Sequence, residues 1–322
     1  MTYRNSLQGR FVATGYPAAG MLFVSIFLWI VGAVLGSYGC STLSVFGQVS
    51  DAVGRVLSFA AYGIVALVLN NIYLFERRVA WLPLVFFWLT AVQPLVQSDC
   101  VTAFSLLLFV LSVAQLFVCC RETGHERAIF GAFALLATSS LLYVQFLLLL
   151  PLFVVYMFIS HMATVRNFMS AFLGVLTPCW LVAGLIYLFP ALMGVIIPSD
   201  SSFAAMVPSF AASELPLSYY AALIPELLVW VVAVYIFVAS SYPAKPLLRR
   251  RILFLMLLNM YLFVLSFVLP GCGLLLLTWR LPGFAVLASY TFSTKVTKVS
   301  NIYFVSLNVA WLLIALLCLW IG

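Results

Sequence analysis

The chain has 322 residues, of which 66% are hydrophobic and only 7% are Asp, Glu, Lys or Arg. A soluble domain carries roughly 25% charged residues, so the polar surface here is too small to coat a globule in water, and a water-soluble fold is excluded. The formal net charge of +7 does not point to nucleic acid: no basic face with interleaved stacking aromatics stands outside the apolar runs, and Lys and Arg gather in the cytoplasmic loops of membrane proteins in any case.

A helix crosses a bilayer with about 20 mainly apolar residues. Taken along the chain, segments of that kind run near 17–37, 56–75, 80–97, 101–120, 128–143, 144–162, 169–190, 219–241, 252–275, 281–294 and 302–321. The prediction is an all-α polytopic transmembrane helical bundle of about eleven spans, forming a single integral membrane domain over 1–322, with short interfacial helices on its outer face. The first run is too long for the core of a cleavable signal and reads as an uncleaved span. After it, "YGCSTLSVFGQVSDAVGR" (38–55) is more polar and forms one outer loop. A tight helical hairpin turns near "SSLLYVQ" (139–145), dividing the fifth span from the sixth. The long stretch 189–218 has no Lys or Arg and four prolines. Prolines so spaced interrupt helix, and short amphipathic helices on the outer interface are expected there.

"YPAKPLLRRRILF" (242–254) concentrates Lys245, Arg249, Arg250 and Arg251 at the start of a span. With the N-terminus in the cytoplasm and sides alternating, all but Arg55 and Arg280 of the 15 Lys and Arg fall inside. That asymmetry is the positive-inside rule. It makes the quartet a cytoplasmic anchor that also attracts anionic headgroups, in a bacterial inner membrane.

Few residues carry chemistry. Glu226, in "AALIPELLVWVV", is the single acid inside a predicted span, and an intramembrane acid is a functional candidate by default. It stands for either a packing contact or a carboxylate facing a substrate or ion. Asp51 and Arg55 are four residues apart and share a face of a short interfacial helix, where they can pair. Alternatively Asp51 acts as a general base or as the carboxylate for a divalent cation, with Arg55 and Arg280 holding a phosphate. Arg280, in "LTWRLPG", reads equally as an interface anchor beside Trp279. The seven cysteines lack metal-type spacing and are read as small hydrophobes. Cys40, Cys100 and Cys272 fall near one face, where a disulfide requires an oxidising compartment.

"LVLNNIYLFERRVAWLPLVFF", "IFGAFALLATSSLLYVQFLLLLPLF", "ATVRNFMSAFLGVLTPCWLVAG" and the tail "RLPGFAVLASYTFSTKVTKVSNIYF" together resemble a bacterial domain-of-unknown-function family of polytopic membrane proteins. The matching positions are Asn71, Leu82, Pro83, Gly131, Ser140, Tyr143, Arg166, Gly174 and Pro178. The resemblance implies an inner-membrane protein and carries no activity. A looser similarity is to the C-type glycosyltransferases, which use polyprenyl-phosphate sugar donors and have an acid in the first outer loop, here Asp51. This chain has no Asp pair in that loop and no sizeable outer domain. The readings that follow are handling of a lipid-linked envelope precursor, by transfer or as a partner of envelope assembly proteins, and secondary transport of a small solute or lipid. In the first, Asp51 is the catalytic acid; in the second, Glu226 is the coupling residue. Membrane lipids are partners in all of them.

Overall fold

A computed structural model describes residues 22–27, 29–30, 45–71, 82–92, 100–119, 125–189, 217–239, 246–269, 272–294 and 298–321. Among these residues there is no strand. The helices are α1 (Val45–Asn71), α2 (Leu82–Val92), α3 (Cys100–Val118), α4 (His125–Leu142), a 3-10 segment (Val144–Leu149), α5 (Leu150–Ile159), α6 (Val165–Leu188), α7 (Leu217–Ala239), α8 (Pro246–Val268), α9 (Gly273–Thr294) and α10 (Lys298–Ile321). Four of them, α1 over Val53–Asn70, α3, α6 and α8, are long and apolar enough to cross a membrane. The protein is a helical membrane protein.

The helix ends follow local chemistry. α8 opens on Pro246 and α5 has Pro151 in its first turn, positions where a missing N–H costs no helical bond. Thr164 caps α6: its hydroxyl accepts from the Asn167 N–H at 3.3 Å, satisfying one of the unpaired donors of the first turn. The expected hairpin near 139–145 is present. α4 ends at Leu142, and Tyr143 is extended (φ −138°, ψ 107°) before the 3-10 segment.

The chain divides into two compact units. In one, α3, α4, α5, α6 and α8 surround an aromatic ladder, in which Phe133 meets Phe153, Phe153 meets Phe254, and Phe254 meets Tyr156 at 4.6 Å. Phe117 closes on both Tyr156 and Phe254. Such pairs contribute about 0.5–1.5 kcal/mol each beyond their burial. α4 and α6 run parallel, their starts joined by the Arg166–Glu126 ion pair at 2.7 Å. Further along α6, Gly174 is pressed against the backbone of α4: a β-carbon there would lie 2.6 Å from the Phe130 carbonyl oxygen. Only Asn167, Ala171, Gly174 and Pro178 of α6 are buried. The rest is half-buried or, as with Phe172, Trp180, Leu181 and Tyr187, exposed, an apolar surface that lipid covers and water would not tolerate.

The ends of this unit differ in kind. At one, α3 and α5 finish and α4, α6 and α8 begin, tied by Arg251 to Phe117, Arg250 to Ser160 and Arg166 to Glu126. Every described Lys or Arg of the unit lies here: Arg127, Arg166, Arg249, Arg250 and Arg251. At the other, the contacts are neutral: Thr102 with Tyr143 at 2.8 Å, and the Gln145 amide donating to the Cys272 sulfur at 3.4 Å.

The second unit contains α1, α2, α7, α9 and α10 together with residues 22–27 and 29–30. Trp29 packs on Phe59 and Tyr62, and α1 meets α2 through Tyr62–Phe86 and Phe59–Phe87. α9 meets α10 through Phe284–Trp311 and Phe292–Phe304.

Two expectations about loops are corrected here. The outer loop assigned to 38–55 is, from Val45 onward, the first part of a continuous 27-residue α1. The polar stretch "GQVSDAVGR" contains no proline, and a glycine costs a helix only about 1 kcal/mol. The loop expected between 275 and 281 is helix: α9 runs unbroken through Arg280. Residues 38–44 and 190–216 lie outside the described residues, so the interfacial helices expected there do as well.

Gly174→Ala should destabilise the protein by about 1–3 kcal/mol, the usual cost of overpacking, in a denaturant titration in detergent. Gly131→Ala and Gly184→Ala, where an added methyl meets nothing within 4 Å, should leave the midpoint unchanged or raise it.

Candidate functional site

α7 carries Glu226 directly after Pro225, and α9 carries Arg280 two residues before Pro282. A proline inside a helix has no N–H to give and frees the carbonyl four residues earlier; here those are the carbonyls of Ala221 and Thr278. Both helices continue through their prolines, each short of one backbone hydrogen bond beside its charged side chain. Arg280 Nε lies 3.3 Å from Glu226 Oε2, and the side chains are 1% and 5% exposed. Around them along the same helices stand buried Val229, Ala233, Leu276, Leu277, Trp279 and Leu281. The second carboxylate oxygen of Glu226, Oε1, is buried with no hydrogen-bond partner among the described residues.

Removing one charge from water costs several kcal/mol even after relaxation, and a buried pair recovers that only through its mutual attraction and further hydrogen bonds. The pair is thus a costly arrangement in an apolar bundle. Chemically it offers a carboxylate with one oxygen open to a donor, and a guanidinium suited to an anionic group.

Of the four candidate residues, Glu226 and Arg280 are brought together. Arg280 is neither in a loop nor an interface anchor: it is buried within α9 and turned to a carboxylate on α7. Asp51 and Arg55 do lie one turn apart, on α1; Arg55 is half-buried, and the side chain of Asp51 lies outside the described ones. Cys100, Cys119, Cys179 and Cys272 are thiols rather than disulfides, so Cys100 and Cys272 are not joined to each other; Cys40 lies outside the described residues. Among the described residues no three His, Cys, Asp or Glu side chains gather in a way that would hold a metal.

The Arg triplet holds more than an anchor. Successive helix positions are about 100° apart, so three in a row cannot all face outward. Arg249 is exposed, Arg250 half-buried and Arg251 2% exposed. Arg251 Nη2 donates to the Phe117 carbonyl at 2.6 Å, near the end of α3, and its guanidinium lies over the Phe117 ring at 5.5 Å. Arg250 Nη1 donates to the Ser160 carbonyl, at the end of α5, at 3.4 Å. Helix C-termini leave carbonyls without partners and carry partial negative charge, so one short cationic run caps two other helices. The signal in the sequence was the run of three following Pro246; what it lacked was the identity of the acceptors.

No protein-family model, curated protein or solved structure matches this chain.

Breaking a buried pair from one side leaves an uncompensated charge and typically costs about 3–5 kcal/mol. Glu226→Leu and Arg280→Met should each lose stability on that scale in detergent unfolding, while the double variant should return to within about 1 kcal/mol of the parent if the two side chains act as a unit. Additive losses would show that they do not.

Proposed function

We propose that this protein is a multi-pass component of a bacterial inner membrane, with about eleven spans and a cytoplasmic N-terminus, and that it is a secondary transporter of a small solute or lipid whose path passes the Glu226–Arg280 pair. The observation carrying this reading is the pair itself, buried in two helices and flanked in each by an internal proline. Ionisable groups within a membrane are expensive and concentrate on substrate and ion pathways. Transporter sites commonly use helices interrupted at the binding level, where freed backbone groups become ligands.

The chemistry is an exchange of partners. While the two side chains face each other, each charge is answered by the other. A proton or a donor group of the solute arriving at Glu226 weakens the attraction for Arg280, whose guanidinium then takes an acceptor from the solute. Departure of the solute restores the pair. Such a cycle biases two arrangements of the proline-containing helices, as coupling requires. The gathering of cations at one end of the other unit supports an orientation with that end in the cytoplasm.

A second reading, handling of a lipid-linked envelope precursor at the outer face, is favoured by Asp51 and Arg55 lying one turn apart on α1. One experiment separates the two. In a host strain lacking its own copy, Glu226→Gln at normal membrane abundance should fail to complement, and Asp51→Asn should complement fully. The reverse pattern would replace transport by the second reading. Cysteine accessibility at residues 242–245 should be restricted to the cytoplasmic side; labelling from outside overturns the orientation.

A further inference from the structure

We infer that the turn Ser160–Thr164, together with Arg250, is a binding site for the phosphate of an anionic phospholipid. α5 ends in a Schellman turn: the His161 N–H donates to the Phe158 carbonyl at 3.0 Å, and the Met162 N–H to the Met157 carbonyl at 2.9 Å. That turn demands a left-handed residue, normally glycine. Here it is His161, at φ 56°, with its imidazole exposed. Beside it Ser160 is 6% exposed, and its hydroxyl has no hydrogen-bond partner among the described residues. A buried hydroxyl left so is uncommon and calls for a partner. Arg250 reaches the same residue, spending one N–H on the Ser160 carbonyl and keeping the rest of a five-donor fork whose geometry matches phosphate oxygens. That contact is to a neutral carbonyl, and among the described residues no acid pairs with Arg250; Arg166, across the turn, is already answered by Glu126 at 2.7 Å.

What distinguishes a lipid from free phosphate is the surface beside these groups. Phe158, Val165 and Met169 are 58%, 78% and 57% exposed, at the end of α5 and the start of a helix long enough to cross the membrane. Polar donors for a headgroup and an apolar strip for an acyl chain therefore adjoin, at the level where spanning helices meet the headgroup layer. Basic pockets between helices on the cytoplasmic side recognise anionic headgroups in this way.

The test is native mass spectrometry of the full chain released from nanodiscs of equal phosphatidylglycerol and phosphatidylcholine. The parent should retain phosphatidylglycerol preferentially. Arg250→Gln and Ser160→Ala should each reduce that retention roughly tenfold, the scale of one charge-assisted hydrogen bond, whereas Arg166→Gln should not. His161→Gly relaxes the backbone and should raise thermal stability while lowering retention; a purely structural turn would show only the first effect. Ser160→Ala removes a single oxygen, so helix content by circular dichroism should be unaltered. Equal retention of the two lipids, or unchanged retention in both Ser160→Ala and Arg250→Gln, overturns the site. Displacement of the lipid by millimolar inorganic phosphate overturns the lipid assignment in favour of a soluble phosphate.

Discussion

A guanidinium withdrawn from water must find acceptors within the protein, because an apolar surround offers none. In a chain with only 15 Lys and Arg, the few that go inside organise what surrounds them. Arg251 is held by a carbonyl at the end of α3 and the face of Phe117; Arg280 is held by the carboxylate of Glu226. The two solutions differ in consequence. A helix-end carbonyl is neutral and permanent, so Arg251 fastens one helix to another. A carboxylate can change its proton or its partner, so Arg280 is fastened conditionally.

The surroundings match that contrast. Arg251 sits in a unit locked by an aromatic ladder and by a glycine pressed on backbone; its one described internal proline, Pro178 of α6, stands away from the charges. Its described cations all serve one end, either as caps or at the surface. Glu226 and Arg280 sit in helices with prolines beside the charges, where backbone hydrogen bonds are already missing. Local opening costs least where bonds are fewest, and α7 and α9 each lack one beside a buried charge.

Much of the fold could be read from the chain because lipid-facing helices need long apolar runs, and such runs survive any detail of packing. The break at Tyr143 was legible from "SSLLYVQ", since hydroxyls and an amide interrupt an otherwise apolar stretch. Arg280 misled for a related reason: one cation in "LLLLTWRLPG" resembles a loop by composition, while its acceptor lies on a different helix far earlier in the chain. Non-local pairing leaves no local mark. The same holds for Arg250 and Arg251, whose acceptors are backbone carbonyls and so have no residue type to notice. His161 was hidden because nothing in "ISHMAT" announces a left-handed turn without glycine. The placing of Asp51 and Arg55 one turn apart on a helix was, by contrast, visible from spacing alone.

Because α4 and α6 are parallel, the chain must travel back across the full height of α4 between them. It has six residues of 3-10 helix and ten of α-helix for the journey, against the 18 residues of α4. At roughly 2.0 Å and 1.5 Å of rise per residue respectively, that return reaches about 27 Å, and α4 reaches about 27 Å. An α-helical return of the same sequence would fall short by about 3 Å. The tighter winding after Tyr143 therefore works as a length adjustment, letting a shorter segment match the height of α4 and deliver α6 to its starting level.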